Sequence, residues 1–182
     1  DEIDIGCAGG VDVTAIRSYE MVSAPSNNIG YTITVKGLNG GHSGMDIHKG
    51  LGNANKIMNR ILYRGFEKYG VRIGSVVGGS LRNAIPRESV AIIAVNPAHQ
   101  GDFETGMATI IKDIKTEFKT MEPGLTIEII PTSAPMMVMD TKTQEDIINA
   151  IYAAHNGVYR MSADIAGLVE TSNNVAKVSI KD

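Results

Sequence analysis

A single cysteine, Cys7, stands in a chain of 182 residues, so neither an intrachain disulfide nor a multi-cysteine zinc site can be built. That scarcity fits a reducing compartment, and a cytoplasmic location is expected. Positive charge is also short. Lys and Arg total 17 against 20 Asp and Glu, a net charge of −3, and no basic stripe is interleaved with aromatics, which argues against a nucleic-acid partner. No window approaches the ~20 consecutive apolar residues of a spanning helix, so no membrane partner is expected. The opening DEIDIGCAGG lacks the basic and apolar regions of a signal peptide. Missing too are a Ser-His-Asp order, a nucleophile elbow, a Cys-His arrangement, an internal repeat and a low-complexity tract. From its residues alone, the chain offers binding groups without a catalytic engine.

What is present suits a folded unit. Apolar residues make up 43% and charged residues 20%, and the length can bury a core of one domain or one domain plus an appendage. The first residue is Asp, and the first segment already reads as strand. The expectation is that a leader was removed or that this is a piece of something longer.

From Ile3 to about Val22, β-branched residues interrupted by Gly6, Gly9 and Gly10 predict two short connecting strands around a glycine turn. Ile29, Tyr31, Ile33 and Val35 then alternate with Thr32, Thr34 and Lys36, the period-2 pattern of a half-buried strand. Leu51, Ala54, Ile57, Met58, Ile61 and Leu62 recur at helical spacing, with Asn55, Lys56, Asn59 and Arg60 largely opposite and a stop at Gly70. A second strand covers Val71 to Val77. Ser89 to Val95 is apolar on both faces, as for a central strand of a covered sheet. A second helix carries Phe103, Met107, Ile110, Ile114 and Phe118, with Asp102 as its N-cap. Leu125, Ile127 and Ile129 form a fourth strand.

The resulting β-α-β-β-α-β order is the split βαβ, ferredoxin-like α+β unit, with an antiparallel sheet in the spatial order fourth, first, third, second. Beyond it, a methionine-bearing loop leads to a short helix begun by Thr143 and Asp146. A closing hairpin is expected from Gly167–Thr171 and Val175–Ile180. Three segments follow: connector strands over 1–28, the ferredoxin-like core over 29–130, and an extension of helix and hairpin over 131–182.

Two polar loops could hold chemistry. In Gly40-Gly41-His42-Ser43-Gly44-Met45-Asp46-Ile47-His48, three functional readings stay open. His42, Asp46 and His48 could ligate a metal; the glycines before a helix could cradle a phosphate; or His42 could present a donor to an oxyanion or carbonyl. Glycines serving only backbone geometry, with solvated histidines, are the plainer alternative. The second loop, Gly78 to Arg87, holds Asn83, Arg82 and Arg87, suited to a carbonyl, carboxylate or other anion, or else to water. Glu170 to Asn174 reads most simply as a turn.

Taken together, Gly6-Cys7-Ala8-Gly9-Gly10, Lys36 to Gly44 continued by Ile47 to Lys56, Leu81 to Glu88, and Val169 to Asn174 resemble the aminoacylhistidine dipeptidases, dinuclear zinc exopeptidases. The matches fall in that family's order and span nearly the whole chain. The resemblance implies a lid and dimerisation domain with a ferredoxin-like core, inserted into a catalytic domain that holds the zinc. The ligands of that zinc would all lie outside this chain, which binds no metal itself. It further implies hydrolysis of Xaa-His dipeptides, with His42 stabilising the tetrahedral oxyanion and Asn83, helped by an arginine, holding substrate. Thirteen positions after Asn83, where that family commonly has its arginine, stands Asn96; Arg82 or Arg87 could substitute, or the arginine could lie beyond the end of this chain. The implied partners are the catalytic domain of the parent chain, the dipeptide substrate and a second copy. Pairing with that copy would use the edge of the second strand, unless the segment from Pro131 to Ile180 folds over that edge. A free-standing ferredoxin-like module that binds a partner or small ligand is the other expectation.

Overall fold

A computed structural model describes residues 9–181. Residues Ile3 to Ala8, and with them the first half of the expected connector strands and Cys7, lie outside the described residues. From Gly9 to Glu20 the chain has no regular structure, and the first strand among the described residues is β1 (Met21–Ser23).

The core follows the predicted alternation. Strand β2 (Ile29–Lys36) buries Tyr31, Ile33 and Val35 and leaves the threonines half-exposed. A two-residue strand β3 (Gly41–His42) precedes helix α1 (Ala54–Tyr69), which starts where the Asn53 side chain accepts the Asn55 and Lys56 N–H groups and stops at Gly70 in a left-handed conformation. Strands β4 (Arg72–Gly78), β5 (Ala84–Ile85) and β6 (Ser89–Val95) follow, then α2 (Gln100–Glu117) and β7 (Thr126–Thr132). Asp102 lies inside the first turn of α2 rather than at its cap; a 3-10 turn over Pro97–His99, capped by Asn96, leads into the helix instead.

The sheet order β7-β2-β6-β4 is the expected one, antiparallel throughout, with both helices on one face. Tyr31 and Phe103 meet at the sheet–α2 contact, ring centroids 5.1 Å apart.

The extension departs from the expectation. Met137–Met139 is a strand, β8, paired with β1 rather than a loop. Helix α3 (Thr141–Ala153) is capped by Asp140, which accepts the Thr143 N–H at 2.9 Å, whereas Asp146 is spent on Lys142 and Arg17. The hairpin is built from β9 (Gly157–Met161) and β10 (Val169–Asn173); the last strand, β11 (Val178–Ile180), joins the main sheet beside β4. Glu170 to Asn173, read as a turn, is therefore strand. The edge expected to pair with a second copy is occupied: β11 covers Val76 to Gly78, and farther along the strand the buried Gln144 side chain accepts the Ile73 N–H at 2.8 Å and donates to the Val71 carbonyl at 2.7 Å.

Two sequence patterns take their meaning from this extension. Asn55 and Asn59, placed on the solvent side of α1 by periodicity, are 2% and 3% exposed. Their amides donate to the Val175 and Ile148 carbonyls, and Lys56 Nζ donates to the carbonyls of Ile151, Tyr152 and Ala154 at the end of α3. There it meets the negative end of the helix dipole, while burial pulls its pKa below the ordinary lysine value.

The sheet's second face carries a row of small residues, Gly30 beside Ala94, with Gly74 nearby. A Cβ on Gly30 would lie 2.4 Å from the Ser133 carbonyl oxygen, and one on Gly74 2.9 Å from the Pro135 ring. The chain crosses the sheet on that track. Elsewhere this face is open, so Val90 and Ile92 of the doubly apolar β6 are more than a third exposed, next to Val77 and Ile130. The strand is central in the sheet, but among the described residues helices cover only one face of that sheet.

Candidate functional site

The two polar loops meet. Strand β3 pairs antiparallel with β5, His42 opposite Ala84 and Gly41 opposite Ile85, and the Ser43 N–H donates to the Asn83 carbonyl at 2.9 Å. His42 and Asn83, 41 positions apart in sequence, thus sit on neighbouring backbones.

Both glycines before His42 have a spatial reason. Gly40 has φ +66°, and a Cβ there would lie 2.4 Å from Arg87 Cγ. A Cβ on Gly41 would lie 2.8 Å from Asp46 Cβ, whereas one on Gly44 would make only ordinary contact with the imidazole at 3.4 Å. The run is a turn folded tightly around its own side chains. The His42 N–H donates to Asp46 Oδ2 at 2.7 Å, and the Asp46 N–H donates back to the His42 carbonyl at 2.9 Å. Lys49 Nζ takes Asp46 Oδ1 at 2.6 Å; this hydrogen bond first, and that from the His42 N–H second, hold the Asp46 carboxyl below its ordinary pKa.

The imidazole is held as well. Gly44 and Met45 both donate their backbone N–H to His42 Nδ1, at 3.0 and 3.2 Å. A ring nitrogen that accepts must carry its lone pair, so in the neutral ring the proton resides on Nε2. Nε2–H makes no hydrogen bond among the described residues, and the side chain is exposed. What the site offers chemically is a pre-aimed neutral donor.

The other expected residues divide. The Asn83 amide is exposed and makes no hydrogen bond among the described residues. Arg82 makes an exposed ion pair with Asp12 at 3.3 Å. Arg87 lies along Gly40 with its Nε donating to the Leu38 carbonyl at 3.0 Å, which makes it a brace of the His42 loop. Asn96 is remote. It follows the end of β6 opposite to Ser89, roughly 20 Å away at about 3.4 Å per residue, and its side chain caps the Pro97–His99 turn.

This loop does not fit a zinc ion. The His42 Nδ1 lone pair is committed to two N–H groups and both Asp46 oxygens are committed, while His48 is exposed on the following 3-10 turn. Among the described residues, no group of three or more His, Cys, Asp or Glu is placed to hold a metal. Nor does the following helix offer a phosphate cradle, since its N-terminal N–H groups are taken by Asn53 and the Pro86 carbonyl.

Two supports were not read from the sequence. Glu122, 2% exposed, accepts the Asn39 N–H at 2.7 Å and the Gly52 N–H at 2.8 Å, tying both ends of the His42 loop together. Asn53, Asn156 and Asn174 form an amide knot, from which Asn174 donates to the Ala84 carbonyl at 2.8 Å and so steadies β5 from behind. Neither has a short-range signature: Glu122 is 83 residues from one of its partners.

Residues 27–122 match the peptidase dimerisation domain family. The chain belongs to that family. It is 38% identical over 181 residues to the cytosol non-specific dipeptidase of Escherichia coli (strain K12), covering all of this chain and 37% of that protein. The crystal structure of aminoacylhistidine dipeptidase from Vibrio alginolyticus superposes with a TM-score of 0.86 at 35% identity, over 90% of this chain and 34% of that one. The resemblance carried by the four sequence stretches therefore holds, and so does the ferredoxin-like α+β core. This dimerisation domain spans little more than a third of the length of either relative.

Proposed function

We propose that this chain is the lid and dimerisation domain of a zinc-dependent, cytoplasmic exopeptidase that hydrolyses Xaa-His dipeptides, and that alone it is inactive. The observation that supports the reading is the exposed Nε2–H of His42, held by its own turn on a backbone that pairs with the Asn83 loop. In this reading His42 donates to the oxyanion that develops on the scissile carbonyl, and Asn83 binds the substrate. Arg82, restrained only by an exposed ion pair, swings to the substrate carboxylate, and Arg87 supports the loop from below.

The zinc belongs to the catalytic domain of the parent chain, and residues 1–28 form the connector to it, with 29–130 as the core and 131–182 as its extension. Two exposures support a missing neighbour: Val11, Val13 and Ile16 are each about nine-tenths exposed, and the open sheet face shows Val77, Val90, Ile92 and Ile130. Such surface is more often covered than left in water. Self-association, in this reading, uses a surface other than β4, whose edge is already filled.

The test is an assay of the 182-residue chain and of its parent enzyme against Xaa-His dipeptides and matched dipeptides ending in other residues, with zinc supplied. The parent should turn over, with preference for Xaa-His, and the chain should not. Turnover by the purified chain above a zinc-only control, or a parent with no activity on any dipeptide, would overturn the reading.

A further inference from the structure

We propose that Asp46 is the positioning residue of His42, closing a turn that locks the imidazole in its Nδ1-acceptor, Nε2–H tautomer before any substrate arrives. The proposal rests on the reading of His42 as an oxyanion donor and adds how that donor is set.

A free imidazole exchanges between two neutral tautomers and rotates about two side-chain bonds, so an unrestrained histidine presents the right proton in the right direction only part of the time. Here the freedom is removed by main-chain groups. Gly44 and Met45 N–H converge on Nδ1 at 3.0 and 3.2 Å, which excludes a proton on that nitrogen in the neutral ring and fixes the ring plane over the turn. Those two N–H groups point inward only because the turn is closed. The closure consists of two opposed hydrogen bonds between the same pair of residues, His42 N–H to Asp46 Oδ2 at 2.7 Å and Asp46 N–H to the His42 carbonyl at 2.9 Å.

Lys49 holds the second carboxylate oxygen at 2.6 Å, so the carboxylate keeps one orientation. Gly41 leaves the space that Asp46 occupies, and the Ser43 N–H to Asn83 carbonyl bond pins the turn to the substrate-binding loop. Asp46 itself needs no contact with substrate. It acts through His42, and the donor's orientation is settled during folding rather than during the reaction.

Two measurements test this. Long-range proton–nitrogen spectra of the 182-residue chain, above the titration range of histidine, should show His42 with its proton on Nε2. Asp46→Ala should give mixed tautomers, while Asp46→Asn, which keeps an acceptor for the His42 N–H, should restore the single form. In the parent enzyme, Asp46→Ala should lower kcat about ten- to a hundredfold, the usual cost of losing a group that orients an active imidazole, with KM little changed. Asp46→Asn should recover most of that loss, and adding Asp46→Ala to His42→Ala should cost nothing more.

A wild-type His42 protonated on Nδ1, or evenly mixed, overturns the proposal without any variant. So does an Asp46→Ala chain with a native amide spectrum, an unchanged tautomer and unchanged kcat. If His42→Ala leaves kcat intact, the oxyanion reading falls, and the spectrum still decides the lock.

Discussion

Replacing Gln144 by leucine should destabilise the domain far more than an ordinary polar-to-apolar exchange on a helix. The side chain is fully buried and substitutes for a neighbouring strand, its amide accepting the Ile73 N–H at 2.8 Å and donating to the Val71 carbonyl at 2.7 Å. Leucine has similar volume but leaves that N–H and that carbonyl stranded where water does not reach. Each such loss costs about 1–3 kcal/mol, so about 2–6 kcal/mol is expected from a domain whose whole stability is on the order of 5–15 kcal/mol. With a urea dependence of about 2 kcal/mol per M, the unfolding midpoint should fall by about 1–3 M. Hydrogen exchange at the Ile73 amide should accelerate in parallel, while amides at the β2–β6 centre should accelerate only as far as global stability falls. A midpoint shift under about 0.3 M, well inside the effect expected from that slope, with the Ile73 amide still protected, would refute the reasoning. Ile73→Pro, which removes the donor and strands the Gln144 carbonyl oxygen, should likewise lower stability rather than change the oligomeric state.

Three further outcomes follow from the same structure. Glu122→Ala should cost about 2–4 kcal/mol, because two N–H groups lose a charged acceptor, and urea unfolding of Glu122→Gln, which keeps one acceptor, should show a smaller loss. Gly30→Ala should displace the crossing segment, since its Cβ would lie 2.4 Å from a backbone oxygen; a loss of about 1–3 kcal/mol by denaturation is expected for such overpacking. Asp140 has its pKa held below the ordinary 3.8, first by a side-chain hydrogen bond with Thr143. Its folded pKa is therefore lower than its unfolded one, so its contribution is present above about pH 4 and disappears as pH falls through the folded value. Stability of the wild type should fall in that window relative to Asp140→Asn, which caps α3 at any pH, and parallel urea midpoints across it should expose the difference.

The legible parts of this molecule are those whose physics is local. Alternation placed β2, and the 3.6-residue period with Gly70 ended α1 correctly, because one face of each element meets a core that the rest of the unit supplies. Handedness of the crossovers then gave the order of the four core strands. The Gly40-Gly41-His42 run was legible as special, but that its backbone pairs with the Asn83 loop is visible only in the structure, through the β3–β5 pairing. What stayed hidden depends on partners far away in sequence. Asn55 and Asn59 read as solvent-facing because the carbonyls that satisfy them belong to residues 148 and 175. The hairpin was misregistered because Val178–Ile180 is as good a strand for β4 as for a hairpin, and only the unfilled edge of the sheet decides. Apolar residues on both faces of β6 signalled burial, whereas Val90 and Ile92 lie more than a third exposed on the sheet face that carries no helix among the described residues.

The central claim is that His42 works on the transition state, and the measurement that tests it most directly is the split between kcat and KM in His42→Ala of the proposed parent enzyme. A single oxyanion donor is worth about two to three orders of magnitude in kcat. The account predicts a loss of that size with KM nearly unchanged, since the contact strengthens only as charge develops on the carbonyl oxygen. A folded variant whose kcat stays within about threefold of wild type, far short of that expectation, would contradict it and leave His42 as a residue of the turn alone.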